Sequence, residues 1–202
     1  MLLMMPIAAR ATNLVQPKYL MAFGLLILAL AMWHLTSLPP DANFGFFSWA
    51  RAYQMIGMPF LFVPITTASY GDLPPEKTNQ ASALINVARN LGGSIGVSMA
   101  ITVLAQRAQL HQSRLVDHFV PSSPLYQQTL RDMAARFAAE GASLADAQRR
   151  AYGWLAQQVQ AQASLLSYID VFWGFAMVTA LLIPVALVLL RSVEHRGAQM
   201  PH

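Results

Sequence analysis

The run "VFWGFAMVTALLIPVALVLL", residues 171–190, decides the fold. It holds no charged residue and is bounded by Asp170 and Arg191. A helix needs about 20 mostly apolar residues to cross the hydrocarbon core of a bilayer. Three more blocks of that kind lie upstream. One is centred on "YLMAFGLLILALAMWHL" (19–35), a second runs from about Phe46 to Tyr70, and a third from about Thr78 to Gln106. Charged residues make up 11% of the 202-residue chain and hydrophobic ones 55%; a soluble domain carries roughly 25% charge. Packing four such helices in a soluble protein would need buried elements with almost no polar face. The expected fold is therefore all-α, a polytopic membrane helix bundle.

The blocks give an organisation: spans at about 19–38, 46–70 and 78–106, an extracytoplasmic helical segment at 107–167, a last span at 168–191 and a tail at 192–202. Residues 1–18 precede them. "MLLMMPIA" is apolar but too short to span, and lacks the ordered regions of a signal peptide. It reads as the tail of an earlier membrane helix, so the chain reads as a fragment or truncated reading of a larger protein. Arg10 and Lys18, then Lys77, then Arg191 and Arg196 fall on one side of a four-span arrangement, and "SLPPDANFG" (37–45) on the other side has no Lys or Arg. Basic short loops stay inside. Both ends are expected to be cytoplasmic, in a bacterial inner membrane.

The outer segment has its own helical signals. "SPLYQQTLRDMAARFAAEG" ends at Gly141, a candidate C-cap. "SLAD" (143–146) resembles a capping box. Tyr152, Leu155, Val159 and Leu166 then recur at helical spacing, and this helix can run straight into the last span. The segment is either a solvated helical hairpin or a docking surface for a periplasmic adaptor protein.

Within the third span, Ser82, Asn86, Arg89, Gly93, Gly96 and Ala100 recur at steps of four and three and share one helix face. Gly92 and Gly96 add a small-xxx-small pair, the pattern that lets helix backbones approach in lipid. Ser82, Gly92, Gly93 and Gly96 are thus candidate packing positions. Arg89 lies about eleven residues past the helix start, roughly 16 Å deep at 1.5 Å per residue. An arginine at the helix centre costs about 2.5–3.5 kcal/mol to insert, so it should face protein or water. It either fixes one helix to another or lines a cavity or gate. The second span carries Arg51, Gln54, Pro59, Pro64 and Thr66. Its interior prolines each remove a backbone hydrogen bond, and freed carbonyls are tolerated where protein or a water-filled cavity receives them. With Asn86 and Arg89, these five residues are the candidates for a substrate cavity or gate.

Two stretches carry a family resemblance. "PIAARATNLVQPK" (6–18) resembles the loop between neighbouring helices of major facilitator transporters, Pro-x-x-Gly-Arg-x-x-Asp-Arg-x-Gly-Pro-Arg. Pro6, Arg10, Pro17 and Lys18 follow that pattern; Ala9, Asn13, Leu14 and Gln16 depart from it. "FLFVPITTASYGDLPPEKTNQASALINVARNLGGSIGVSMAITVLAQR" (60–107) resembles the EmrB/QacA-type, fourteen-helix drug:proton antiporters. Pro64, Thr66, Leu73-Pro74-Pro75-Glu76, Ala81-Ser82, Asn86, Arg89, Gly92-Gly93-Ser94 and Gly96 carry it, and "GWLAQQV" (153–159) and "DVFW" (170–173) extend it. The resemblance implies a partial major facilitator fold, the last four helices of such a transporter. The second span would line the cavity and the third would lie between the halves; separately, the first and fourth spans are uniformly leucine-rich, which fits outer, lipid-facing positions. The resemblance also implies proton-coupled export of amphipathic drugs by a protein whose amino-terminal helices are partners of this segment. The bilayer is the remaining partner; nucleic acid is not one.

The other expectation is a free-standing four-helix membrane subunit or scaffold without transport. No catalytic residues, metal ligands or cofactors are expected, and "GGSIG" lies inside a helix, so it is no nucleotide loop. His34 reads as interfacial, and the remaining histidines lack ligand-like spacing. Asp170 reads as the N-terminal cap of the last helix, where a carboxylate suits the dipole, or else as a proton-binding acid.

Overall fold

The computed structural model describes residues 4–37, 39, 43–70, 74–118 and 123–189. Leu73, Arg191, Arg196 and the tail expected at 192–202 lie outside them, as does part of the loop 37–45. Among the described residues there are seven α-helices and no strand: α1 (Met4–Leu14), α2 (Pro17–Thr36), α3 (Phe44–Gly57), α4 (Pro59–Tyr70), α5 (Thr78–His118), α6 (Pro124–Ala139) and α7 (Leu144–Leu189). A tight helical turn at Pro75–Lys77 leads into α5. Three helices, α2, α5 and α7, are long and apolar enough to cross a membrane. The helices form two compact units. One comprises the described residues up to Val97 and those from Phe172 onward; the other is Ser98–Val171.

The expected second span is made of α3 and α4. Neither alone has the length to cross, but the chain stays helical between them. Met58 has φ −56° and ψ −47°, and its N–H donates to the Gln54 carbonyl at 3.1 Å. Leu61 and Phe62 return bonds to the Met58 carbonyl at 3.0 Å. The break is chemical: Pro59 has no N–H to give to the turn before it. From Phe44 to Tyr70 the two helices follow one another as a rod with about 40 Å of helical rise at 1.5 Å per residue.

In the first unit α2 packs against α3 and α4, and α1 against α4. The packed stripe on α2 includes Leu20, Gly24, Ala31 and Leu35, all buried. Around α1 the core is Ala8, Leu20 and Phe60, with Ala11 and Val63 against it. Phe23 meets the Phe60 ring edge-on at 5.2 Å. The closest approach is glycine on glycine. A Cβ built on Gly24 would lie 3.1 Å from the Gly57 carbonyl oxygen and 3.1 Å from the Phe60 carbonyl carbon. One built on Gly57 would lie 3.1 Å from Ile27 Cγ2 and 3.2 Å from the Gly24 oxygen. Small residues allow this in lipid, where the gain comes from close backbone packing. At the start of α2, Gln16 stands where the transporter loop pattern has glycine, and its buried Oε1 finds no hydrogen-bond donor among the described residues.

In the second unit α6 and the first half of α7 form the helical hairpin that the outer segment's signals pointed to. Gly141 ends α6 with φ +95°. Its N–H donates to the Ala138 carbonyl at 3.0 Å and that of Ala142 to Phe137 at 3.1 Å, the paired bonds of a Schellman turn. Ser143 Oγ then accepts from the Asp146 N–H at 3.3 Å, and the Asp146 carboxylate accepts from Ser143 Oγ at 3.1 Å. One buried row, Ala147, Ala151, Leu155, Val159, Ala163 and Ser167, runs along α7. Gln112 and Val116 of α5, Tyr126 of α6 and Tyr152 and Leu155 of α7 line one groove, so three helices meet there.

Candidate functional site

The cavity and gate candidates separate into three environments. Arg51 and Gln54 line an open groove of about 820 Å3, with Leu35, Phe44, Phe47, Ser48, Met55 and Phe172 among its other walls. Arg51 Nη1 donates to Gln54 Oε1 at 3.2 Å. Pro59 and Pro64 have less than 2% of their surface exposed. Both are packed inside the first unit of this chain, Pro59 at the start of α4 and Pro64 within it. Thr66 lies near them, its hydroxyl donating to the Phe62 and Val63 carbonyls at 2.9 Å each. That satisfies a polar group without water, in the back-bonding manner of helical threonines.

The third environment is the face on α5. Every residue from Asn86 to Met99 is exposed, and Ser82 is half-buried. A Cβ built on Gly92, Gly93 or Gly96 meets no atom of the described residues within 4 Å. Arg89 has one neighbour of note: its guanidinium carbon lies 5.3 Å from the centroid of the Phe62 ring on α4. A cation over an aromatic face is worth about 0.5–1 kcal/mol at exposed sites. The contact ties α5 to the cavity-side candidate helix while leaving the guanidinium's hydrogen-bonding edge open. Asn86 lies one turn before it on the same exposed face.

Asp170 is not a helix cap. Helix α7 has been continuous since Leu144, so the N–H groups that a cap would satisfy already belong to the helix. Its carboxylate instead meets two residues of α5: His111 Nε2 at 2.8 Å and Arg107 Nη1 at 3.6 Å. The pairing spans 59 positions, which no local motif could reveal. His111 is the inner member, its side chain 17% exposed against 33% for Asp170 and 51% for Arg107. The exposed arginine pair is worth little, as surface ion pairs are; the histidine bond holds the contact. Asp170→Ala should cost about 1–2 kcal/mol and speed amide exchange in α5 around Arg107–His111, while Asp170→Asn, which keeps an acceptor, should cost less. Unchanged exchange in the alanine variant would remove the cluster's bracing role.

His34 also has company that the sequence does not announce. It stacks on Phe46 at 4.7 Å and meets Tyr53 edge-on at 6.0 Å, which places it in an aromatic cluster at the α2–α3 end. Among the described residues no group of His, Cys, Asp and Glu has the make-up of a metal site.

No family model and no solved structure matches the chain. Curated proteins do. The multidrug export protein EmrB of Escherichia coli strain K12 is 30% identical over 169 residues, which is 83% of this chain and 31% of that protein. The fatty acid resistance protein FarB of Neisseria gonorrhoeae is 26% identical over 180 residues, 89% of this chain and 34% of its own length. The MFS-type transporter YhcA of Bacillus subtilis strain 168 is 28% identical over 124 residues, 61% of this chain and 23% of its own length. A chain whose described residues are all-helical and that has these relatives is of the major facilitator class of membrane proteins. Within that class, the chain belongs to the EmrB-type multidrug exporters. It spans about a third of the length of EmrB and FarB.

Proposed function

We propose that this chain supplies the carboxy-terminal four spans of a proton-coupled exporter of amphipathic drugs, and that it does not transport alone. The observation that carries this reading is the open face of α5. Ser82, Asn86, Arg89, Gly92, Gly93 and Gly96 offer another helix a smooth and partly polar surface, and none of the described residues lies against the glycines. Amino-terminal helices of the same transporter are the partner such a face suits. Rocking of one half against the other would open and close a midplane site between them, with Arg51, Gln54, Pro59, Pro64, Thr66, Asn86 and Arg89 on or behind its wall.

The second half of the proposal follows from charge. None of the four apolar blocks contains Asp or Glu. Proton relays in membranes are built from ionisable side chains held within the spans. The coupling acids must come from the rest of the transporter. The basic residues Arg10, Lys18 and Lys77 support a reading in which the loops that carry them face the cytoplasm across a bacterial inner membrane. The α6–α7 hairpin is then periplasmic, where an adaptor protein would dock.

Proteoliposomes holding only the 202-residue chain should show no proton-driven flux of an amphipathic dye. Co-reconstitution with a second chain carrying the remaining helices should restore it. Flux above empty liposomes by the chain alone would overturn the reading.

A further inference from the structure

His111 is the titratable member of the face that α5 turns inward in the second unit. Between Ile101 and Asp117, Leu104, Ala108, His111 and Leu115 are half-buried and every other residue is exposed. Those four recur at steps of four and three, so they form one face. On α7 the buried row that passes through Ala163 and Ser167 is continued by Asp170, three residues on. Alanine and serine are short, and Ser167 Oγ already donates to the Ser164 carbonyl at 2.6 Å. The hold at this end of the row therefore falls to the bond between His111 Nε2 and Asp170 Oδ2, at 2.8 Å. Arg107 approaches the same oxygen at 3.6 Å from the exposed side.

The other charges of the unit stand farther out. Arg114 and Asp117 of α5 are exposed, as are Arg131, Asp132 and Arg136 of α6. Among the titratable side chains of α6, Tyr126 alone is half-buried. Asp146 is paired with Arg149 at the start of α7, and residues 119–122 carry no titratable side chain. Asp170 is thus the carboxylate that decides what a charge on His111 is worth. We propose that His111 and Asp170 form an acid-tightened clasp between α5 and α7. A carboxylate only accepts, so Nε2 carries the proton of this bond whether the ring is neutral or charged. A further proton goes to Nδ1. It leaves the bond in place and turns it into an ion pair, the stronger kind of hydrogen bond. Histidine makes this change between about pH 5 and 8. A proton that binds better with the helices together holds them together as it binds, so the clasp firms as pH falls through that window and slackens as it rises. Arg107 opposes the charge on His111, but from water, where screening weakens it. The clasp lies within one unit and stands apart from the transport reading; with the hairpin periplasmic, the pH it answers to is that of the periplasm.

The test uses the 202-residue chain in detergent. Amide exchange of α5 between Gln106 and Gln112 is measured as protection, relative to the unstructured-chain rate at each pH, with helix content followed by circular dichroism. Protection should rise about threefold from about pH 8 to about pH 5.5, the scale of a partly exposed ion pair. His111→Gln and Asp170→Asn should each abolish the rise, the second while keeping an acceptor of the same shape. His118→Gln, which removes the unit's other histidine, should keep it. If His111→Gln loses helix content, Asp170→Asn serves instead. Equal protection at the two pH values in the unaltered chain overturns the proposal. So does a rise that survives in folded His111→Gln or Asp170→Asn, or one that disappears in folded His118→Gln.

Discussion

Replacing Gly24 with leucine should separate α2 from the α3–α4 rod. The space for a side chain does not exist: even the first carbon would lie 3.1 Å from a carbonyl oxygen and a carbonyl carbon of the opposing helix. Those are backbone atoms, which cannot turn aside as a side chain can. Overpacking of a close-packed site costs about 1–3 kcal/mol, and Gly24→Ala should fall in that range. Gly24→Leu should exceed it, because the extra atoms force the helices apart along the crossing. Gly57→Leu should behave alike, since its added carbon would meet Ile27 and the Gly24 oxygen. The measurement is thermal melting of the detergent-solubilised chain. An unchanged midpoint for both leucine variants would show that the crossing is not part of the folded state.

Gly96→Leu should do the reverse. Among the described residues it meets open space, so the melting of the isolated segment should stay where it was. In the full-length transporter the same leucine should abolish drug efflux at normal expression, because the surface it roughens is the one proposed to meet the other half. Cysteines introduced at Gln54 and Thr66 should then be labelled from one side of the membrane only, as expected of a transporter held in one state. Full efflux by Gly96→Leu would make the α5 face a lipid-exposed surface rather than an interface. The pair of experiments separates two uses of glycine in one chain, internal closeness and external fit.

The sequence announces the second use and conceals the first. Gly92, Gly93 and Gly96 sit together in one stretch with a readable period. Gly24 and Gly57 are single glycines in separate helices, 33 positions apart. Nothing local says that they face each other, and the packing of α3 and α4 alongside α2 is a tertiary fact. The pattern of long uncharged blocks was legible because bilayer thickness sets a length that any sequence can be measured against. The hairpin was legible because caps are local chemistry: Gly141 takes a left-handed conformation and Ser143 binds the N–H of Asp146. Asp170 was misread for the opposite reason. It stands at the edge of an apolar block, which looks like a helix start, but α7 began 26 residues earlier. Hydropathy marks where lipid begins; it does not mark where a helix begins. The bond from Asp170 to His111 could be found only with both helices in place.

Arg51 and Arg89 give this segment a property that packing alone does not describe. Its four apolar blocks hold two fixed positive charges and no negative one. A charge carried across the full membrane against a potential of 100 mV exchanges about 2.3 kcal/mol with the field. A shift of a tenth of the thickness therefore exchanges about 0.2 kcal/mol per arginine. In a cell that is negative inside, the field draws both arginines toward the cytoplasm whichever way the helices tilt. The resting voltage thus acts on this segment as a steady directional bias. Collapsing the potential would relax that bias, so the segment carries an electrical load that its packing does not reveal.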